Sequence, residues 1–166
     1  MSIYTFLVIS HIVGTVLGVG GATFAEILHT KALKDRVVTP EESSTLKVTY
    51  RVLRVGLLLT VLSGFSFLLF YRLTGQSELI FDPKLWAKLF IVIVIMINAL
   101  LLQAKAVPFW LGSAVSLTSW YGALVLGAWH DYPFSFMGTL IGYLVAIIVV
   151  AYLLHVVKGW YLGETT

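Results

Sequence analysis

Residues 3–28 read IYTFLVISHIVGTVLGVGGATFAEIL, an apolar run that is long enough to cross a bilayer as one helix. A transmembrane helix needs about 20 predominantly apolar residues, because the hydrocarbon core is about 30 Å thick and each helical residue adds about 1.5 Å. Four further runs follow, at about residues 52–71, 85–103, 110–128 and 136–157. None of the five alternates apolar and polar residues, so the sequence predicts helices rather than barrel strands.

The composition points to the same class of protein. Of the 166 residues, 59% are hydrophobic and 11% are charged, whereas a soluble domain carries roughly 25% charged residues. The mean hydropathy is +0.95. Too few polar side chains remain to cover a surface in water, which predicts an all-α integral membrane protein with a single five-helix transmembrane domain over residues 1–166. Cysteine is absent, which excludes disulfides, thiolate metal sites and iron–sulfur clusters.

The connections between the runs contain all four prolines, at positions where a missing backbone N–H costs little. The longest connection covers about residues 30–50. Within it, Thr39 followed by Pro40, Glu41 and Glu42 is typical of a helix start, with Thr39 as the cap and Pro40 in the first position. This pattern predicts one short additional helix outside the membrane.

The positions of lysine and arginine predict the orientation, because these residues concentrate in short cytoplasmic loops. With the N-terminus outside and the C-terminus cytoplasmic, eight basic residues lie at inner ends and three at outer ends. The inner residues are Lys31, Lys34, Arg36, Lys47, Arg51, Arg54, Lys105 and Lys158, and the outer residues are Arg72, Lys84 and Lys88. We therefore expect a multi-pass protein of the cell membrane. Its expected partners are the lipid bilayer and other membrane subunits, as a homo-oligomer or a larger complex. The net charge of +3 indicates no nucleic-acid partner, because the basic residues flank the spans.

The first span carries two histidines on one face. His11 and His29 are 18 residues apart, which is five helical turns. The positions between them on this face are small, and they include Gly14 and Gly18. One interpretation is a seam of small residues against which another helix packs closely. The other is a smooth groove in which a porphyrin lies beside an axial histidine ligand.

Ionisable residues inside spans indicate function, because burying a charge in lipid is expensive. At the inner end, Glu26 and His29 have the Glu-x-x-His spacing of bundle metal sites, and His155 is the one further candidate ligand from another span. At the outer end, Lys88 and His130 are predicted to lie at the depth of His11. Asn98 is a neutral polar residue within the third span, and Arg54 is close enough to the inner interface to extend its charge into it.

Three segments resemble the first three helices of HemJ-type protoporphyrinogen oxidases and of the related CopD-type copper-resistance membrane proteins. They are residues 10–14 (SHIVG) with 20–21 (GG), residues 51–57 (RVLRVGL) with 63–64 (SG), and residues 86–89 (WAKL). The resemblance covers about residues 8–105 and is that of a distant member. It implies haem b ligation by His11 and an essential, catalytic role for Lys88.

Three functions follow as hypotheses. The first is a haem-b-binding protein for electron transfer or for porphyrin or quinol redox chemistry in the bilayer. Its cofactor would lie against Gly14 and Gly18, with His11 as one ligand and Lys88 or a second histidine as the other, either His130 outside or the His29 and His155 pair inside. The second is transport or handling of copper or another metal ion, with His11, Glu26 and His29 as stations along one helix face and His155 as a further ligand at the inner end. The third is an accessory subunit of a membrane complex that binds no ligand.

Overall fold

The computed structural model describes residues 2–34 and 39–162, and within them it contains helices and connections without any strand. Five helices are long and apolar enough to cross a membrane, as predicted. They are α1 (Ile3–Lys34), α2 (Pro40–Leu73), α3 (Pro83–Gln103), α4 (Phe109–Ala128) and α5 (Phe136–Leu162), and a single 3₁₀ turn, Ser77–Phe81, precedes α3. Asp35 and Arg36, which belong to the predicted first connection, lie outside the described residues.

The start of α2 confirms the predicted cap and corrects the predicted extra helix. The Thr39 side chain accepts a hydrogen bond from the Glu42 backbone N–H, and the Glu42 carboxylate accepts one from the Thr39 backbone N–H. This reciprocal pair satisfies two of the N–H groups that every helix start leaves free. The helix that begins here is not separate, because α2 continues without a break to Leu73. No glycine or proline stands between Pro40 and the second apolar run, so nothing ends the helix at the membrane surface.

Two ends of the bundle are defined by the contacts between helices. At the His11 end, Tyr4 near the start of α1 packs on Phe70 near the end of α2. At the Glu26 end, His29 of α1 packs on Phe109 at the start of α4. α1 therefore runs antiparallel to both α2 and α4.

The core of the bundle contains both apolar and polar side chains, whereas its surface is apolar. Trp120, Ile91 and Ser119 are the largest fully buried side chains in the described residues. The Ser119 hydroxyl lies 2.6 Å from the Tyr143 hydroxyl, and Asn98 Nδ2 donates to the Gly112 carbonyl over 2.8 Å. Large apolar side chains on α5 point outward. Ile148, for example, is 69% exposed. This distribution is the one expected when lipid is the solvent.

The helices pack unevenly. α1 runs along α2, and α4 packs against α1, α3 and α5. In the described part of the chain, α2 and α3 hardly approach each other, although they are consecutive. The bundle is therefore close-packed around α1 and α4 and open along the side between α2 and α3.

Candidate functional site

His11 faces α2 and has a hydrogen-bond partner there. Its Nδ1 atom lies 2.9 Å from the Ser63 hydroxyl oxygen. The single hydroxyl hydrogen of Ser63 is directed at the Leu59 carbonyl over 2.5 Å, so Ser63 accepts the hydrogen bond and His11 Nδ1 donates it. A neutral His11 therefore has its lone pair on Nε2. The half-buried Lys88 of α3 lies within electrostatic range of the His11 ring.

Protein atoms cover the glycines beside His11. A Cβ atom at Gly14 would lie 2.7 Å from the Thr60 nitrogen, and one at Gly18 would lie 2.2 Å from the Trp120 ring. Of the two interpretations of this face, the structure agrees with the first, in which another helix packs closely against the small residues. In this arrangement the face does not fit a porphyrin, which would need the space that α2 and Trp120 fill. Ligation of a haem by His11 and Lys88 stays a prediction.

The structure places the predicted outer partner His130 outside the helices. It is exposed in the connection between α4 and α5, next to Trp129. The Trp129 carbonyl accepts a hydrogen bond from the Lys84 ammonium, which ties this connection to the start of α3.

Glu26 is buried at the other end of α1 and forms an ion pair that links α1 to α5. Its Oε1 atom lies 2.6 Å from Lys158 Nζ, and the Thr30 hydroxyl donates to the same oxygen over 3.4 Å. The second carboxylate oxygen, Oε2, is buried and has no hydrogen-bond partner in the structure. A buried carboxylate oxygen without a donor is costly, so this atom needs an explanation.

The predicted inner ligands Glu26, His29 and His155 do not come together as one site. The His29 ring packs against Phe109 at an interplanar angle of 34° with the centroids 3.6 Å apart, and His155 is exposed on α5. His11 lies at the opposite end of α1. Among residues 2–34 and 39–162, no three histidine, aspartate or glutamate side chains come together as a metal site. His11 and His29 share a helix face, as predicted, but α2 covers one and α4 the other.

A cavity of about 530 Å³ opens at the Glu26 end between α2 and α3, which hardly contact each other. Its deep part is apolar and is lined by Leu57, Ile95 and Trp120. Polar side chains lie nearer the helix ends, and they are Glu26, Tyr50, Arg54, Asn98, Gln103, Ser113 and Ser116. We refer to this space as the α2–α3 cavity.

One polar contact crosses the opening between the two helices. Arg54 Nη2 of α2 donates to Gln103 Oε1 of α3 over 3.3 Å. Both side chains line the cavity. Arg54, whose charge was predicted only to extend into the interface, therefore also borders the cavity mouth.

The sequence named Glu26, Arg54 and Asn98 but did not predict a cavity. Gln103 and Trp120 were missed as lining residues, although a tryptophan in the middle of an apolar span is a signal that could have drawn attention to α4. Comparison of the chain with protein-family models, with curated proteins and with solved structures found no match in any of the three.

Proposed function

We propose that the protein binds a lipid-soluble, ring-bearing molecule of the quinol or porphyrin class in the α2–α3 cavity and takes it directly from the bilayer. The observation that carries this proposal is the cavity itself. Its volume of about 530 Å³ lies within the roughly 300–1,000 Å³ of typical ligand sites. It is bordered by two consecutive helices that hardly touch, which offers a route from the lipid.

The lining favours an amphipathic molecule with a rigid apolar part. Aromatic side chains, Tyr50, Phe109 and Trp120, supply flat apolar surface. The charged groups Glu26 and Arg54 lie towards one end. A polar head would therefore lie near the helix ends and an apolar portion near Trp120, which is the orientation of a quinol in a leaflet.

The distribution of basic residues indicates the side of the membrane from which the ligand would enter. Because most basic residues flank the Glu26 end, this end would face the cytoplasm, and the ligand would enter from the inner leaflet of the cell membrane. The bound ligand would take part in redox chemistry within the bilayer, as in the first of the three hypotheses from the sequence.

A matched pair of substitutions on α3 tests binding. Ala99 and Ile97 are both exposed, but Ala99 lines the cavity at its open side, whereas Ile97 is not among the lining residues. We expect Ala99→Phe to weaken binding of decylubiquinol and protoporphyrin IX at least tenfold, because the new ring occupies the cavity. Ile97→Phe adds a similar ring on the lipid side and leaves binding unchanged. The measurement is isothermal titration calorimetry of the full chain in nanodiscs, and equal affinities for the two variants contradict the proposal.

Haem ligation at His11 is a second candidate, and the hydrogen bond to Ser63 favours it. It requires α2 and Trp120 to move away from Gly14 and Gly18, which they cover in this structure. Histidines that bind metals commonly donate their other ring N–H to a fixed acceptor, and His11 Nδ1 has such an acceptor. Purified protein with a Soret band that His11→Ala abolishes and Ala99→Phe retains would support this candidate. Colourless protein after reconstitution with haem would contradict it.

A further inference from the structure

Glu26 is the one charged side chain of the described cavity lining that is both deeply buried and incompletely hydrogen-bonded. Its exposed fraction is 6%. Oε1 has Lys158 and Thr30 as partners, whereas Oε2 has none. A carboxylate with one satisfied oxygen retains an acceptor of high strength for a donor that enters the cavity.

Among the described residues, no protein donor reaches Glu26 Oε2. The Asn98 amide donates to the Gly112 carbonyl, and one N–H group of the Arg54 guanidinium donates to Gln103. Lys158 approaches the other oxygen of Glu26. Tyr50 lines the cavity and lies within electrostatic range of Glu26, but no hydrogen bond joins them. Because Glu26 itself lines the cavity, a donor on the occupant completes this oxygen once the Glu26 side chain turns towards it.

We infer that the α2–α3 cavity selects ligands that carry a hydroxyl or N–H donor, with Glu26 as the accepting residue, so that a reduced quinol is bound in preference to its quinone. This inference rests on the proposed function. A quinol presents two hydroxyl donors, whereas a quinone of the same shape presents carbonyl acceptors. A quinone oxygen beside Glu26 would meet a second acceptor, and neither group could satisfy the other.

Buried polar sites reject analogues that lack the group with which the site forms a hydrogen bond. The same effect gives the selectivity for the quinol. A site built around an unpaired acceptor gains a charge-assisted hydrogen bond from a donor, whereas a ligand that offers only an acceptor leaves the buried oxygen unpaired. The ring and tail contacts are the same for both redox forms and cancel in the ratio of their affinities. This ratio therefore reports on the polar contact alone.

The test compares decylubiquinol with decylubiquinone, titrated anaerobically into the full chain in nanodiscs. We expect the wild-type protein to bind the quinol at least tenfold more tightly. In Glu26→Gln this ratio falls to about one, because a carboxamide can both donate and accept. Since this substitution leaves Lys158 without its counter-ion, the double variant E26Q/K158Q is measured as well, and the same loss of preference is expected.

A control variant separates Glu26 from carboxylates in general. Glu78→Gln removes an exposed carboxylate that precedes α3 and does not line the cavity. It is expected to keep the quinol preference. A preference that survives in both Glu26 variants, or that disappears in Glu78→Gln, overturns the assignment of Glu26.

The possible failures are distinguishable. If the wild-type protein binds both redox forms equally and Ala99→Phe abolishes both, the selectivity is refuted while the binding function stands. If the wild-type protein binds neither form nor protoporphyrin IX, both the selectivity and the binding function are refuted.

Discussion

The two ends of α1 contain similar residues in different surroundings. At the His11 end, α2 lies directly against the helix, and the polar side chain has a hydrogen-bond partner in Ser63. At the Glu26 end, the α2–α3 cavity borders the helix, and the polar side chain retains a buried oxygen without a donor. The difference teaches that an ionisable residue inside a span is not by itself a site. A polar group becomes available to a ligand where neighbouring helices leave room beside it.

The largest expected effect comes from separating the charges at the Glu26 end. Lys158→Met removes the counter-ion of a carboxylate whose side chain is 8% exposed. We expect a loss of about 3 kcal/mol in the free energy of unfolding, the scale found when one member of a buried pair is removed. The double variant E26Q/K158M is expected to recover most of that loss, because no charge remains unpaired. Equilibrium unfolding in mixed micelles measures this, and equal stability of K158M and wild type would mean that the pair is not formed.

The next effect concerns the close contact at the His11 end. A Cβ atom at Gly56 would lie 2.8 Å from the Gly18 nitrogen and 2.9 Å from the Gly14 carbonyl oxygen, and these backbone atoms cannot rotate away. We expect Gly56→Val to destabilise the bundle by about 2 kcal/mol through overpacking. Gly20 is the control, because a Cβ atom there meets nothing within 4 Å. Gly20→Ala is therefore expected to leave the melting temperature unchanged or slightly raised. Similar losses in both variants would argue against the α1–α2 crossing.

The smallest expected effect on stability concerns the hydrogen bond of His11, the ionisable residue that has a partner on α2. Ser63→Ala removes the acceptor of His11 Nδ1 and is expected to cost about 1 kcal/mol. Ser66, one turn further along α2, bonds only to the Leu62 carbonyl of its own helix. Ser66→Ala is therefore expected to be close to neutral.

The imidazole nitrogen shifts of His11 provide an independent measurement. In wild-type protein they are expected to report the tautomer with hydrogen on Nδ1, because Ser63 directs its own hydrogen to Leu59. In Ser63→Ala this preference is expected to weaken. Finding the hydrogen on Nε2 in the wild-type protein would contradict the orientation of the hydrogen bond.

The sequence determined the elements that depend on local chemistry. Five apolar runs gave five helices, and Thr39 with Pro40 marked the start of α2. The error lay in expecting a separate short helix there, since a cap signals where a helix begins and carries no information about where it ends. The small face of α1 was also readable, because its period is fixed by the geometry of one helix.

Only the tertiary structure decided which residues meet. The pairing of Glu26 with Lys158 joins residues far apart in the chain, and the α2–α3 cavity exists because helices from four parts of the sequence fail to close over it. Hydropathy and capping act over a few residues, whereas helix association depends on how side chains from distant segments fit together in lipid. The sequence of the first helix alone therefore predicted that one of its faces is buried. Its neighbours determined that Gly18 would lie under Trp120 and that Glu26 would border an open space.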